Sequence, residues 1–249
     1  MRVIALMFLI LSTGLFAQDA LKVMYGNQLK FAMPEQAKSY PKIKAHYLKM
    51  SEEIKDYEFI YFNQESTYQL VEKISNQQTE DSSFSSSISV GGGESYLRYT
   101  NYNTGTHYRK ANVRGKETYI KGDLRDFDWV LTRDTKNILG IEVRKATYVD
   151  GETKGIAWYA PEIPYKAGPL DTSGLPGLIL EYERLWNGPN GINSEIIFAQ
   201  EIDFIDTNTV KITQPKDSRS ISQEEYNIFY DEQQQKLKEM ISQGVDTSN

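Results

Sequence analysis

The sequence predicts a mainly β domain of the α+β class: a curved antiparallel meander or half-barrel sheet with an N-terminal helix and a C-terminal helix. Three observations predict it. Short runs rich in Tyr, Ile, Val, Phe and Thr recur between residues 57 and 213, separated by Asn, Gly and Asp as hairpin turns require. Tyrosine is abundant, with 17 residues, and rings suit a half-buried pleat better than a helix. Helical periodicity is confined to the two ends.

The chain opens on a secretory signal. Arg2 supplies a positive start, Val3 to Leu11 is unbroken apolar sequence, and Ala17 fits the position before cleavage. The apolar run is well short of the roughly 20 residues a spanning helix needs. The expectation is a signal peptide over 1–17 and one domain over 18–249, exported to the periplasm or medium, with no transmembrane segment after cleavage. The sequence holds no cysteine, so it is not a lipoprotein, and disulfides and thiolate metal sites are excluded. Core packing alone has to hold the fold.

Within that domain, Leu21 to Tyr25 reads as a first strand. Ile43, Tyr47, Met50 and Ile54 recur at helical spacing in 35–56, and Pro41 starts or breaks that helix. Strands follow at 57–62 and 66–71. Residues 73–95 change to Ser, Gln and a Gly91-Gly92-Gly93 run, which reads as a flexible loop. Further strands are expected at 96–102, 106–111, 117–120 and 128–132. Strands 141–149 and 153–159 form the clearest hairpin, with Asp150-Gly151 between them. Another hairpin joins 177–183 to 194–200 across Asn187-Gly188-Pro189-Asn190-Gly191, and 209–213 adds a last strand. Ser222 and Glu225 form a capping box, after which Tyr226, Phe229, Leu237 and Met240 mark one helical stripe. The tail, 244–249, is polar and expected to fray.

A net charge of −6 and a pI near 5.2, with both signs interspersed, exclude a basic stripe for nucleic acid. They equally exclude an electrostatic grip on anionic lipid.

One segment is specific. Trp129 is followed by Lys136-Asn137-Ile138-Leu139-Gly140 and Lys145-Ala146-Thr147. Trp158-Tyr159-Ala160-Pro161-Glu162-Ile163-Pro164 and Gly174-Leu175-Pro176-Gly177-Leu178-Ile179-Leu180 complete it. In this order the series resembles the GLPGLI family of exported proteins, found chiefly in Bacteroidetes, over roughly a quarter of the chain. The resemblance implies an envelope protein with no agreed reaction. Many relatives carry Cys where this chain has Arg144, so a role resting on that thiol does not transfer. The strand meander with a Trp-x-x-Pro strand end also looks like the half-barrel of periplasmic lipoprotein carriers, an analogy that does not fix function. Physically, Gly174 and Gly177 permit dihedrals closed to other residues, and Pro176 fixes its own φ. Together they predict a rigid corner leading into a strand.

Catalytic patterns are sparse. The two histidines, His46 and His107, lie in unrelated contexts, and no His-Glu-x-x-His occurs. Asp123, Asp126 and Asp128 lack the glycine and terminal Glu of a calcium loop, and read as a solvated turn. Ser39 and Lys42 fit Ser-x-x-Lys, but the companion Lys-Thr-Gly is missing. Asp171-Thr172-Ser173-Gly174 misses Asp-Thr-Gly by one residue. No metal or cofactor is expected. The reading is an exported, non-catalytic envelope accessory protein that binds an outer-membrane protein, a peptide or an apolar ligand. Its binding surface would comprise Trp158, Glu162, Asp171, Gly174, Leu175, Pro176, Gly177 and Leu178. The alternative is a hydrolase of envelope polymers acting through a carboxylate such as Glu162.

Overall fold

The computed structural model describes residues 20–71 and 97–245. The expected signal peptide at 1–17 and the expected loop at 73–95 lie outside the described residues. The polar tail is helical as far as Val245, and 246–249 lie outside as well.

The chain enters as strand β1 (Ala20–Lys30), then forms the short helices α1 (Glu35–Lys38) and α2 (Pro41–Glu52). Pro41 sits in the first turn of α2, where its missing N–H costs nothing, so it divides the helical stretch as expected. Strands β2 (Ile54–Phe62), β3 (Glu65–Leu70), β4 (Leu97–Asn101), β5 (Thr106–Val113) and β6 (Lys116–Asp123) follow. After an irregular stretch come β7 (Val130–Ile138), β8 (Ile141–Asp150), β9 (Thr153–Ala160), β10 (Leu178–Gly188) and β11 (Gly191–Ile205). A three-residue strand, β12 (Ser220–Ser222), leads into helix α3 (Gln223–Val245). The capping box forms as read: Ser222 N–H donates to Glu225 Oε2 at 2.7 Å, and Glu225 N–H donates to Ser222 Oγ at 3.1 Å.

Among the described residues, twelve strands join one sheet in the order β12-β6-β5-β4-β3-β2-β1-β11-β10-β9-β8-β7. This corrects the expected fold in three respects. The sheet is mixed, because β12 runs parallel to β6. It is open, with β12 and β7 as edges, and it is not a simple meander: β1 lies in the middle, paired with β2 on one side and β11 on the other. The helix expected at the N-terminus is instead two short helices inside the β1–β2 connection, and α2 buries no residue. The long pairing Ala20↔Ile205 to Lys30↔Ser194 is what draws the first strand into the centre. The strand expected at 209–213 does not form. Asp206 accepts from Asn208 N–H at 2.9 Å and starts a 3-10 turn, Thr207–Thr209, in its place.

Alternation puts Leu21, Val23, Tyr25, Phe59, Tyr68, Tyr182 and Ile197 on one side of the sheet, here called the inner face. Their burial makes the main core. A smaller core at the far end packs Tyr226 and Phe229 of α3 onto Ala111 and Ile120. Arg109 of β5 and Tyr148 of β8 border a common cleft although their strands are eight places apart in the sheet. A flat sheet would separate them by roughly 38 Å at about 4.8 Å per strand. The sheet is therefore strongly curled.

Candidate functional site: a cleft on the inner face braced by a glycine–proline corner

The β9–β10 connection, 161–177, folds onto the inner face and is fixed through its own backbone. Ile163 N–H donates to Ala160 O at 3.2 Å, Leu178 N–H to Ile163 O at 3.0 Å and Ile179 N–H to Ala167 O at 2.9 Å. Side chains from distant elements hold two further carbonyls. The Tyr25 hydroxyl donates to Ile179 O at 2.6 Å, and Trp129 Nε1 donates to Ser173 O at 2.8 Å. Leu175, Leu178, Ile179 and Leu180 are buried beneath this mesh. Gly177 is required by close approach. A Cβ there would lie 2.2 Å from the Ala160 carbonyl oxygen and 2.6 Å from its carbon. Gly174, at φ +90°, is required only by its left-handed backbone, since the nearest atom to an added Cβ is Trp129 Cδ1 at 3.7 Å. The corner predicted from the motif is thus the element that holds the insert against the sheet.

Beside this insert a cleft of about 530 Å³ opens on the inner face, a size suited to a small molecule. Its wall is aromatic. Tyr57 stacks on Tyr68 with ring centroids 4.7 Å apart, and Phe127 lies 5.0 Å from Tyr148. The Tyr148 and Tyr182 hydroxyls share a buried hydrogen bond of 2.7 Å, and burial pushes the Tyr182 phenol far above its ordinary pKa.

Charge in the cleft is inverted relative to the chain. Lys55 and four arginines, 98, 109, 125 and 184, face three carboxylates, Glu53, Asp171 and Glu195, in a protein of net charge −6. Arg125 and Arg184 both pair with carboxylates. Arg125 donates to Asp150 at 2.5 Å and lies 4.7 Å from the centre of the Phe127 ring. Arg184 donates to Glu195 at 2.9 Å, and Glu195 also accepts from Asn27 Nδ2 at 2.9 Å. Arg98 and Arg109 sit directly opposite each other on β4 and β5. His107, on the inner face nearby, has its pKa lowered by burial. The Asp171 carboxylate opposes that shift, and the Arg98 and Arg109 charges add to it.

The residues singled out from the sequence do not converge here. Only Asp171 lines the cleft. Leu175, Gly177 and Leu178 are buried in the corner, while Gly174, Pro176 and Glu162 are exposed on its surface. Trp158 lies in the cross-strand row Lys145–Trp158–Glu181, next to the Ala146–Ala157–Tyr182 row that faces inward, so it stands on the outer face. There Lys136 Nζ lies 4.4 Å from its ring centre and 2.6 Å from Glu181 Oε2. Among the described residues no group of three His, Asp or Glu is placed to hold a metal ion. No described helix is long and apolar enough to cross a membrane. The residues that build the cleft, Tyr68, Arg98, Arg109, Tyr148, Tyr182 and Glu195, carry no motif. Their only trace in the sequence is strand alternation with an unusual count of Tyr.

The fold and cleft define a single-sheet β protein with an inward-facing, arginine- and tyrosine-lined site. Residues 148–181 match the family described as "Protein of unknown function (Porph_ging)", which is associated with Bacteroidetes. That segment runs from Tyr148 through the whole glycine–proline corner to Glu181. No curated protein matches the chain. Two solved structures of PNGF-II are similar to it, in the C2 and P21 space groups. They are 16% and 15% identical, each with a TM-score of 0.52 and each covering 86% of this chain. The likeness is one of fold, and this chain spans about a third of their length (33% and 34%). A domain described as outer membrane lipoprotein-sorting, from Vibrio parahaemolyticus, aligns at 8% identity with a TM-score of 0.32, over 86% of this chain and 93% of its own.

Proposed function

We propose that the chain is an exported accessory protein of the bacterial envelope that binds a small ligand in the inner-face cleft and performs no chemistry on it. The observation that carries this reading is the charge inversion: five cations and an aromatic wall converge on one cavity in an acidic chain. A ligand held among these cations and rings would stabilise the folded chain by mass action. Export rests on the signal-like residues 1–17. Membership of the GLPGLI group rests on the intact Gly174–Leu180 motif, which lies within the matched 148–181 segment. In this reading the motif is scaffold and the cleft is the site, so the ligand is amphipathic rather than purely apolar. A hydrolase centred on Glu162 gains no support from that residue's exposed position on the turn.

The test is native mass spectrometry of the protein purified from its own envelope, beside Leu29→Trp. Leu29 is half-buried and lines the cleft, so the larger ring fills it. A small-molecule adduct on the natural chain that disappears in Leu29→Trp is expected. No adduct, together with no change of Tm across a small-molecule library, would remove this reading.

A further inference from the structure

The inner side of β1 changes character as it runs along the cleft. Tyr25, Asn27 and Leu29 alternate onto that side, and Phe31 follows just beyond the strand's end. Tyr25 is fully buried, Asn27 is 7% exposed, Leu29 is half-buried and Phe31 is 40% exposed. Glu195, itself buried, joins Asn27 in a polar floor: it accepts from Asn27 Nδ2 and from the Arg184 guanidinium, both at 2.9 Å. Tyr68 lines the same cleft, and its buried hydroxyl has no hydrogen-bond partner among the described residues. Asn27 lies close to that hydroxyl, but its amide donates to Glu195. Met50 of α2 completes the mouth: it is 37% exposed and lines the cleft with Leu29 and Phe31. Gln28 Nε2 donates to Ser51 O at 2.7 Å, which ties the end of α2 to β1 and sets Met50 in place. Phe31 packs edge-on against Trp186, with ring centres 6.4 Å apart.

Burial normally runs the other way, because apolar surface gains by leaving water. Here the polar groups lie deep and apolar side chains ring the opening. A single exposed Leu, Phe or Met is ordinary, whereas three around one cavity mark a contact surface. We propose that the cleft takes a single-chain amphiphile head first. A hydrogen-bonding headgroup sits on the Asn27–Glu195 floor, and an alkyl chain leaves between Leu29, Phe31 and Met50. This deepens, and rests on, the reading of the cleft as a ligand site. Extended backbone advances about 3.3 Å per residue, so Leu29 stands roughly 7 Å and Phe31 roughly 13 Å from Asn27. A chain of medium length spans that distance, and a cavity of about 530 Å³ suits one such molecule.

Isothermal titration of the full chain with 1-alkyl glycerols and with alkanoates tests this, each series running from butyl to decyl below its micelle concentration. Affinity should rise about two- to fourfold per methylene, as apolar burial at a half-open mouth requires, and level off once the tail passes Phe31. The tighter series identifies the headgroup. Phe31→Gln and Met50→Gln should each weaken the longest tail about fivefold and leave the shortest unchanged. Val130→Gln removes an apolar side chain, 63% exposed on β7 and not among the cleft's lining, and should change neither. A bromine at the tail's end should quench Trp186 fluorescence, and Trp186→Phe should abolish that quenching. Affinity independent of chain length, or an unchanged slope in either Gln variant, overturns the alkyl mouth while the cleft reading stands. Quenching that persists in Trp186→Phe puts the tail near Trp129, which packs on Phe127 and Tyr148, and overturns the head-first orientation. If neither series binds, the amphiphile falls; the native mass spectrum separately decides whether the cleft reading falls with it.

Discussion

Replacing Gly177 by Ala should be among the most damaging single-methyl changes in the chain. The added Cβ would meet the Ala160 carbonyl oxygen at 2.2 Å and its carbon at 2.6 Å, against the 3.0 Å below which real contacts essentially never fall. Both atoms are backbone, so no rotamer change relieves the overlap. Ala160 is the residue at which β9 pairs with Leu178 of β10, and its carbonyl also accepts from Ile163 N–H. Opening the contact therefore strains the end of the β9–β10 ladder and pulls on the Ile163 and Leu178 hydrogen bonds. Overpacking of this kind costs about 1–3 kcal/mol, and two weakened backbone bonds add about 1 kcal/mol each. The expected loss is about 3–5 kcal/mol, or roughly 10 °C in Tm for a chain of this size. Gly174→Ala is the internal control. At φ +90° with its nearest neighbour at 3.7 Å, it should lose only about 1 kcal/mol. Urea unfolding of both variants measures the difference. Equal losses, or a Gly177→Ala cost below about 1 kcal/mol, would refute the close-approach argument for the corner.

Four further outcomes follow from local geometry. Leu139 is exposed at φ +53° in the β7–β8 turn, so Leu139→Gly should gain about 0.5–1 kcal/mol in thermal unfolding. Ser222→Ala removes the acceptor of Glu225 N–H and should cost about 1 kcal/mol, with loss of helical circular dichroism from α3 first. Tyr148→Phe leaves the Tyr182 hydroxyl without the 2.7 Å partner it has now and should cost about 1–3 kcal/mol, much of it recovered when Tyr182→Phe is added; additive losses would contradict the pair. Burial raises the phenol pKa of Tyr61 to about 12 and holds those of Tyr25, Tyr68 and Tyr182 well above the ordinary value. Unfolded tyrosines ionise near pH 10, so this contribution is complete below that pH and is lost as pH rises through it. Stability should fall above about pH 10, with several phenols ionising only on unfolding, and an ultraviolet titration showing all 17 tyrosines ionising together near pH 10 in the folded protein would contradict it.

Local chemistry made much of this fold legible. Asp150-Gly151 marked the β8–β9 hairpin, where the turn residues are Gly151 and Glu152 and Gly151 takes φ +55°. Ser222 and Glu225 announced both bonds of their capping box, and Pro41 divided the helical stretch. The corner at Gly174–Gly177 was readable because glycine and proline act through their own backbones. Long-range pairing was not readable. Nothing near Ala20 says that it faces Ile205, and three residues are too few to mark β12 as a parallel edge. The cleft was hidden for the same reason. Tyr68, Arg98 and Arg109 are ordinary strand residues until register aligns them and the curl of the sheet brings β8 across from β5. Trp158 and Glu162 drew notice through the motif, yet one faces outward beneath Lys136 and the other tops an exposed turn.

Where a ligand touches the protein is the most direct test of the inner-face cleft. Backbone and tyrosine-ring NMR shifts of the isotope-labelled chain, followed as a small-molecule extract of its own envelope is added, measure this. Shifts concentrated at Tyr57, Tyr68, Tyr148 and Tyr182, which share one cavity, are the predicted result. Shifts concentrated around Trp158 and Glu181 on the outer face, with those four tyrosines unmoved, would contradict it.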